Sequence, residues 1–160
     1  YGIGAAATIL VSSAHSKGDH KQVRHTVGIA LILAEAVALL VLVGLILGRH
    51  YLGYIFSDDP SIIAMAALAI LPMALYQPAD ALQVIYSNAL RGMEDVKHMA
   101  LYACGVHLII APALCLLFGF GLGLEGGGIQ LTAVWSAFPV SLLLLGVLLK
   151  RRFDHISIPR

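Results

Sequence analysis

Asp80 is the residue whose chemistry most needs a reason. It stands in Tyr76-Gln77-Pro78-Ala79-Asp80-Ala81-Leu82-Gln83, behind the apolar run 62–75 and ahead of Ser87. In a helix, Gln77, Asp80, Gln83 and Ser87 recur at spacings of three and four, so they share one face with Tyr76 beside them. A carboxylate among amides and hydroxyls suits the binding of a cation or the passage of a proton. An aspartate near the centre of a membrane helix costs about 2.5–3.5 kcal/mol on insertion scales, so a cavity, an ion or a partner is expected to offset it. Pro72 and Pro78 each remove a backbone donor and tend to kink the helix, leaving freed carbonyls near the acid, a combination found in membrane cation sites. Together these residues describe a cation or proton site, with Asp80 as its coupling group.

Glu35 is the second acid inside an apolar run. Its helical neighbours Leu31, Ile32, Ala38 and Leu39 offer it no local partner, so it must face protein or water, either bonded to another helix or serving as a relay. Gly121-Leu-Gly-Leu-Glu-Gly126 matches GxGxxG, but it joins two apolar runs with no acidic residue about 20 positions on, so it reads as a flexible turn rather than a nucleotide site. Gly44 and Gly48 form GxxxG, a signal of close helix packing. His15, His20 and His25 recur every five residues, which does not align them on one helix face; they read as residues of a solvated loop, and no metal site is expected. Cys104 and Cys115 lie about 16 Å apart on one helix, beyond disulfide reach, and read as core-filling thiols. No HExxH, GxSG or GxGD pattern lies in any apolar run, so enzyme chemistry is not expected.

The elements that must position these residues are membrane helices. Apolar residues make up 59% of the 160, charged residues 12%, and the mean hydropathy is +0.89, far from the balance of a soluble chain. The basic residues sit between apolar runs and form no continuous patch, which argues against a nucleic-acid partner. Residues 1–14 are apolar but shorter than a span and read as the trailing half of one. Full spans are expected at 26–48, 61–88, 97–118 and 127–149, followed by a tail at 150–160. Gly18-Asp19 signals a turn and a helix start; Ser57-Asp58-Asp59-Pro60 caps the helix that carries Asp80. The chain opens on Tyr1 within an apolar stretch and looks like the C-terminal part of something longer.

Lysine and arginine test this topology. If each long run crosses once, the turn at 15–25, the turn at 91–95 and the tail share one side, and that side holds nine of the ten basic residues; Arg49 alone falls opposite. The positive-inside rule then places both turns and the C-terminus in the cytoplasm.

Tyr76-Gln77-x-x-Asp80-Ala81-x-Gln83, followed by Ala89-Leu90-Arg91-Gly92-x-x-Asp95, resembles the tenth-helix signature and following cytoplasmic turn of the multidrug and toxic compound extrusion (MATE) transporters. Gly2-Ile-Gly-Ala-Ala-Ala-Thr-Ile-Leu-Val with Gly18-Asp19 is similar to the end of the eighth helix; Asp58-Asp59-Pro60 and the glycine-rich link at 123–126 also fit. The resemblance implies an all-α membrane protein of twelve helices in two lobes, of which this chain is most of the C-terminal lobe. It implies proton- or sodium-coupled antiport of organic cations and amphipathic compounds by alternating access in a plasma membrane, such as a bacterial inner membrane. No cofactor beyond the coupling ion is implied. The lipid bilayer, small organic cations and the N-terminal lobe of the same polypeptide are the implied partners. Asp80 matches the family's cation-binding carboxylate, with Arg91, Gly92 and Asp95 in the turn motif; Glu35 belongs to none of these motifs. Two alternatives stay open: a flippase for lipid-linked precursors from the same superfamily, and an inactive fragment, since half a cavity cannot alternate.

Overall fold

The computed structural model describes residues 2–158, and among these the regular structure is entirely helical. Helix α1 covers Gly2–Ser16, α2 His20–Leu52 and α3 Pro60–Gly92. The next rod begins as α4, Val96–Gly105, passes through a π turn at Val106–Ile110, resumes as α5, Ala111–Leu116, and ends in a second π turn at Leu117–Gly121. Helix α6 covers Gly127–Ser157. Four of these rods are long and apolar enough to cross a membrane: His20–Ile55, Pro60–Gly92, Val96–Gly121 and Gly127–Ser157. The Tyr1 end of the half-span and Arg160 of the tail lie outside the described residues.

Local chemistry explains where the helices start. Asp19 accepts a hydrogen bond from the Gln22 amide at 2.9 Å, and Gly18 takes the positive φ of +70° that the preceding turn requires. Asp59 accepts from the Ser61 amide at 2.8 Å, with Pro60 in the first turn, where its missing N–H costs nothing. The Asp19 cap extends α2 past its apolar boundary, and α3 runs past its own at the end away from its cap. Helix α2 starts at His20 instead of 26, and α3 continues to Gly92 instead of 88. The histidines expected in a loop are therefore helical: His15 closes α1, while His20 and His25 lie in α2.

Helix α3 is the central post, with α1 and α2 on one side and α6 on another. Val11 of α1, Val23 of α2, Ile85 and Leu90 of α3, and Leu145 and Leu149 of α6 are fully buried together. Elsewhere large apolar side chains point outward, among them Ile32, Leu40, Leu47 and Leu108, each at least 70% exposed. A helix apolar on every side is stable where its outer face meets acyl chains. Val23, Met93 and Phe153 belong to one buried cluster, which brings the first turn, the second turn and the basic tail to the same end. Gly53 against Ile63, and Gly128 against Met65, mark the other end.

Two expectations about packing are corrected. Gly44 and Gly48 do not carry a helix contact in this chain: a Cβ at Gly44 would meet nothing within 4 Å, and one at Gly48 would meet only Leu52 of the same helix. Cys104 is exposed rather than core-filling, while Cys115 is half-buried. Helix α3 runs through both Pro72 and Pro78.

Candidate functional site

Asp80 is half-buried and opens into a cleft of about 200 Å³ between α1, α2 and α3. Small residues make the room: Gly4 from α1, Ala34 and Ala38 from α2, and Ala81 beside the acid itself. Gln77 also lines this cleft, its amide turned back to the Met73 carbonyl at 3.4 Å. No described residue makes a hydrogen bond to the Asp80 carboxylate. An acid aimed into a small cavity without a fixed donor is open to a mobile cation or proton.

The other residues of the expected face separate. Gln83 donates to the Ser87 hydroxyl at 3.1 Å; Ser87 is buried, and the Gln83 backbone lies against Gly146 of α6. Neither of them lines the Asp80 cleft. Tyr76 stands with Trp135 and Phe138, whose rings are 5.4 Å apart, around a different hollow. The face that meets α1 and α2 is Gln77, Asp80, Ala81, Val84 and Ile85.

That face ends at Asn88, a residue the sequence reading left out. Thr8 donates its hydroxyl proton toward acceptors at 3.0–3.2 Å, the Asn88 side-chain oxygen, the Asn88 carbonyl and its own Gly4 carbonyl, while the Asn88 amide donates to the Val84 carbonyl at 2.8 Å. This polar clamp fixes α1 against α3 just beside the cleft. The signal was present as an amide eight positions beyond Asp80, two turns along the same side of the helix.

Glu35 lies elsewhere. It is half-buried on a larger cavity between α2, α3 and α6, with Pro78 and Leu82 on one wall and Thr132 and Ser136 on the other. Asp80 and Glu35 therefore face different sides of α3 and are not brought together.

The turn after α3 closes the polar end. Gly92 is buried where a Cβ would fall 2.8 Å from the Thr8 carbonyl oxygen, and Arg91 is exposed. Glu94 holds the turn at φ +63°. Asp95 accepts hydrogen bonds from Arg152 of α6 and, at 2.6 Å, from His98. The Arg152 guanidinium holds the Asp95 carboxyl below the usual carboxylate range, with His98 adding to the effect. A lowered value in the folded state means the pair stabilises the fold above the unfolded carboxylate pKa of about 3.9, and that contribution is lost as pH falls through the lower folded value. Asp95→Asn is expected to lower the unfolding free energy at neutral pH by about 1–2 kcal/mol and to shrink the loss of stability on acidification. Thermal unfolding of both proteins across pH 3–7 checks this; identical pH profiles would show that the pair contributes nothing.

With this geometry in view, the family model described as MatE matches residues 1–124, a stretch that contains Glu35, Asp80 and the 91–95 turn. The chain belongs to the MatE family. The probable multidrug resistance protein NorM of Neisseria meningitidis serogroup B is 28% identical over 153 residues, covering 92% of this chain and 31% of that protein. NorM of Bradyrhizobium diazoefficiens is 34% identical over 162 residues, covering 98% of this chain and 33% of its own length. Protein DETOXIFICATION 17 of Arabidopsis thaliana is 34% identical over 146 residues, with 91% and 30% covered. The chain thus spans about a third of the length of these MatE relatives.

Proposed function

We propose that this chain is most of one lobe of a secondary active multidrug extruder, which exchanges protons or sodium ions for organic cations and other amphipathic compounds by alternating access. The observation that carries the reading is the half-buried Asp80 carboxylate in the cleft of α1, α2 and α3, with no described donor fixed on it. Ionised Asp80 attracts either the coupling ion or an organic cation, and occupancy by one disfavours the other. Each occupant then shifts the balance between two arrangements of the lobes. The family match, together with relatives whose names state multidrug resistance, supports transport as the activity. In this reading the remaining lobe belongs to the same polypeptide, and the polar end with its two turns and basic tail faces the cytoplasm of a plasma membrane.

Energetics set what such a site can do. One pH unit supplies about 1.4 kcal/mol, and 100 mV supplies about 2.3 kcal/mol for each net charge moved. A one-for-one swap with a monovalent drug moves no net charge and uses only the chemical gradient. The test is efflux by the full-length protein reconstituted in vesicles, with a proton or sodium gradient imposed across them. Accumulation of a cationic dye against its gradient is expected under at least one of the two; no movement under either gradient rejects the reading.

A further inference from the structure

Helix α3 has a second hollow side, and its chemistry is as one-sided as that of the Asp80 cleft. The open groove between α2, α3 and α6 has a volume of about 530 Å³, within the range of about 300–1,000 Å³ usual for sites that hold drug-sized molecules. No residue lining it also lines the Asp80 cleft. Its walls are mostly aliphatic, with Leu71, Leu75, Leu82 and Leu143 among them. The polar groups it presents are acceptors.

Three features make it so. Glu35 opens into the cavity, and no described residue makes a hydrogen bond or an ion pair with it. Thr132 and Ser136 line the opposite wall, but each hydroxyl proton is already given at 2.8 Å to a carbonyl of their own helix, that of Gly128 for Thr132 and that of Thr132 for Ser136. What the two hydroxyls offer inward is lone pairs. Pro72, Pro78 and Pro139 also line the cavity, and none has an N–H.

A donor-poor, largely aliphatic groove with a single carboxylate selects one chemical class: a monovalent cation with an apolar body. An anion would find no donor there, and a small hydrated ion would have to shed water against leucine side chains. We infer that the α2–α3–α6 cavity is a second binding site, separate from the Asp80 cleft, which takes a lipophilic organic monocation with Glu35 as its counter-ion. The inference rests on the extruder reading for its biological sense but not for its test. Two sites on opposite sides of one helix would let a further cation be held while the coupling ion and a drug compete for Asp80.

The test uses the full-length protein in lipid nanodiscs and equilibrium binding of tetraphenylphosphonium, with Asp80→Asn as the background so that Asp80 cannot contribute charge. Binding is expected to persist in that background. Adding Glu35→Gln is expected to weaken it at least about tenfold, which corresponds to about 1.4 kcal/mol. Adding Leu143→Trp instead, which fills the cavity and leaves Glu35 in place, is expected to weaken it as well, while tetramethylammonium, which lacks the apolar body, competes poorly. Equal affinity with and without Glu35→Gln overturns the inference, and so does complete loss of binding in Asp80→Asn alone. The second result would leave the role proposed for Asp80 standing.

Discussion

An Asp80→Asn variant of the full-length protein is expected to lose gradient-driven drug accumulation while remaining folded. Asparagine matches the carboxylate in size and cannot ionise, so it removes the exchangeable charge and little else. No described donor is left without a partner by the change, and removal of an acid from a half-buried cleft relieves a desolvation cost, so stability should not fall. With a one-for-one swap, each pH unit across the membrane sustains a drug ratio of roughly tenfold; in the variant that ratio should collapse to about one at any pH difference. The measurement is steady-state dye accumulation in vesicles at several imposed gradients, accompanied by thermal unfolding to show that the variant is intact. A slope equal to that of the parent would remove Asp80 from the coupling step.

Gly92→Val is expected to be the most damaging of the glycine substitutions at the polar end. A Cβ at this position would sit 2.8 Å from the Thr8 carbonyl oxygen and 3.0 Å from a Val11 methyl group. The first of these is backbone and cannot swing aside, so α1 would have to move away from α3 and break the Thr8–Asn88 clamp. Overpacking of this kind costs about 1–3 kcal/mol, and the branched side chain adds to it. Gly44→Ala is the matched control. Nothing lies within 4 Å of a Cβ there, and alanine is favoured over glycine inside a helix by about 1 kcal/mol, so this variant should be as stable as the parent or slightly more so. Unfolding temperatures in detergent decide between them; a Gly92→Val protein that melts with the parent would mean that α1 and α3 are not in such close contact.

The contrast between these two glycines shows what could be read from the chain and what could not. Lengths of apolar runs and the caps at Asp19 and Asp59 were legible because membrane thickness and helix ends act on local sequence. Gly44 and Gly92 look alike in such a reading, since spacing does not say which helix lies opposite. The same limit split the expected site. Positions 77, 80, 83 and 87 do fall at helical spacings, yet only Gln77 and Asp80 line the cleft with α1 and α2, while Gln83 and Ser87 bond to each other outside it. Membership in the family was carried by the Asp80 motif and its turn, which lie within the matched stretch. The Glu35 cavity was not legible, because its walls come from residues about a hundred positions apart in the chain, Glu35 and Thr132 among them.

The two π turns in the rod from Val96 to Gly121 have a consequence for how that segment is mapped onto its surroundings. A π turn holds one residue more than the α turn it replaces, and each residue advances an α-helix by about 100°. Angular phase therefore slips by roughly that amount at an insertion, so a stripe of side chains that begins toward the protein near Met99 is redirected by the time it reaches Cys115. A single helical wheel drawn over the whole rod would assign its lipid-facing and bundle-facing positions wrongly; two wheels, re-zeroed after the Val106–Ile110 insertion, are needed to choose sites for spin labels or crosslinkers there.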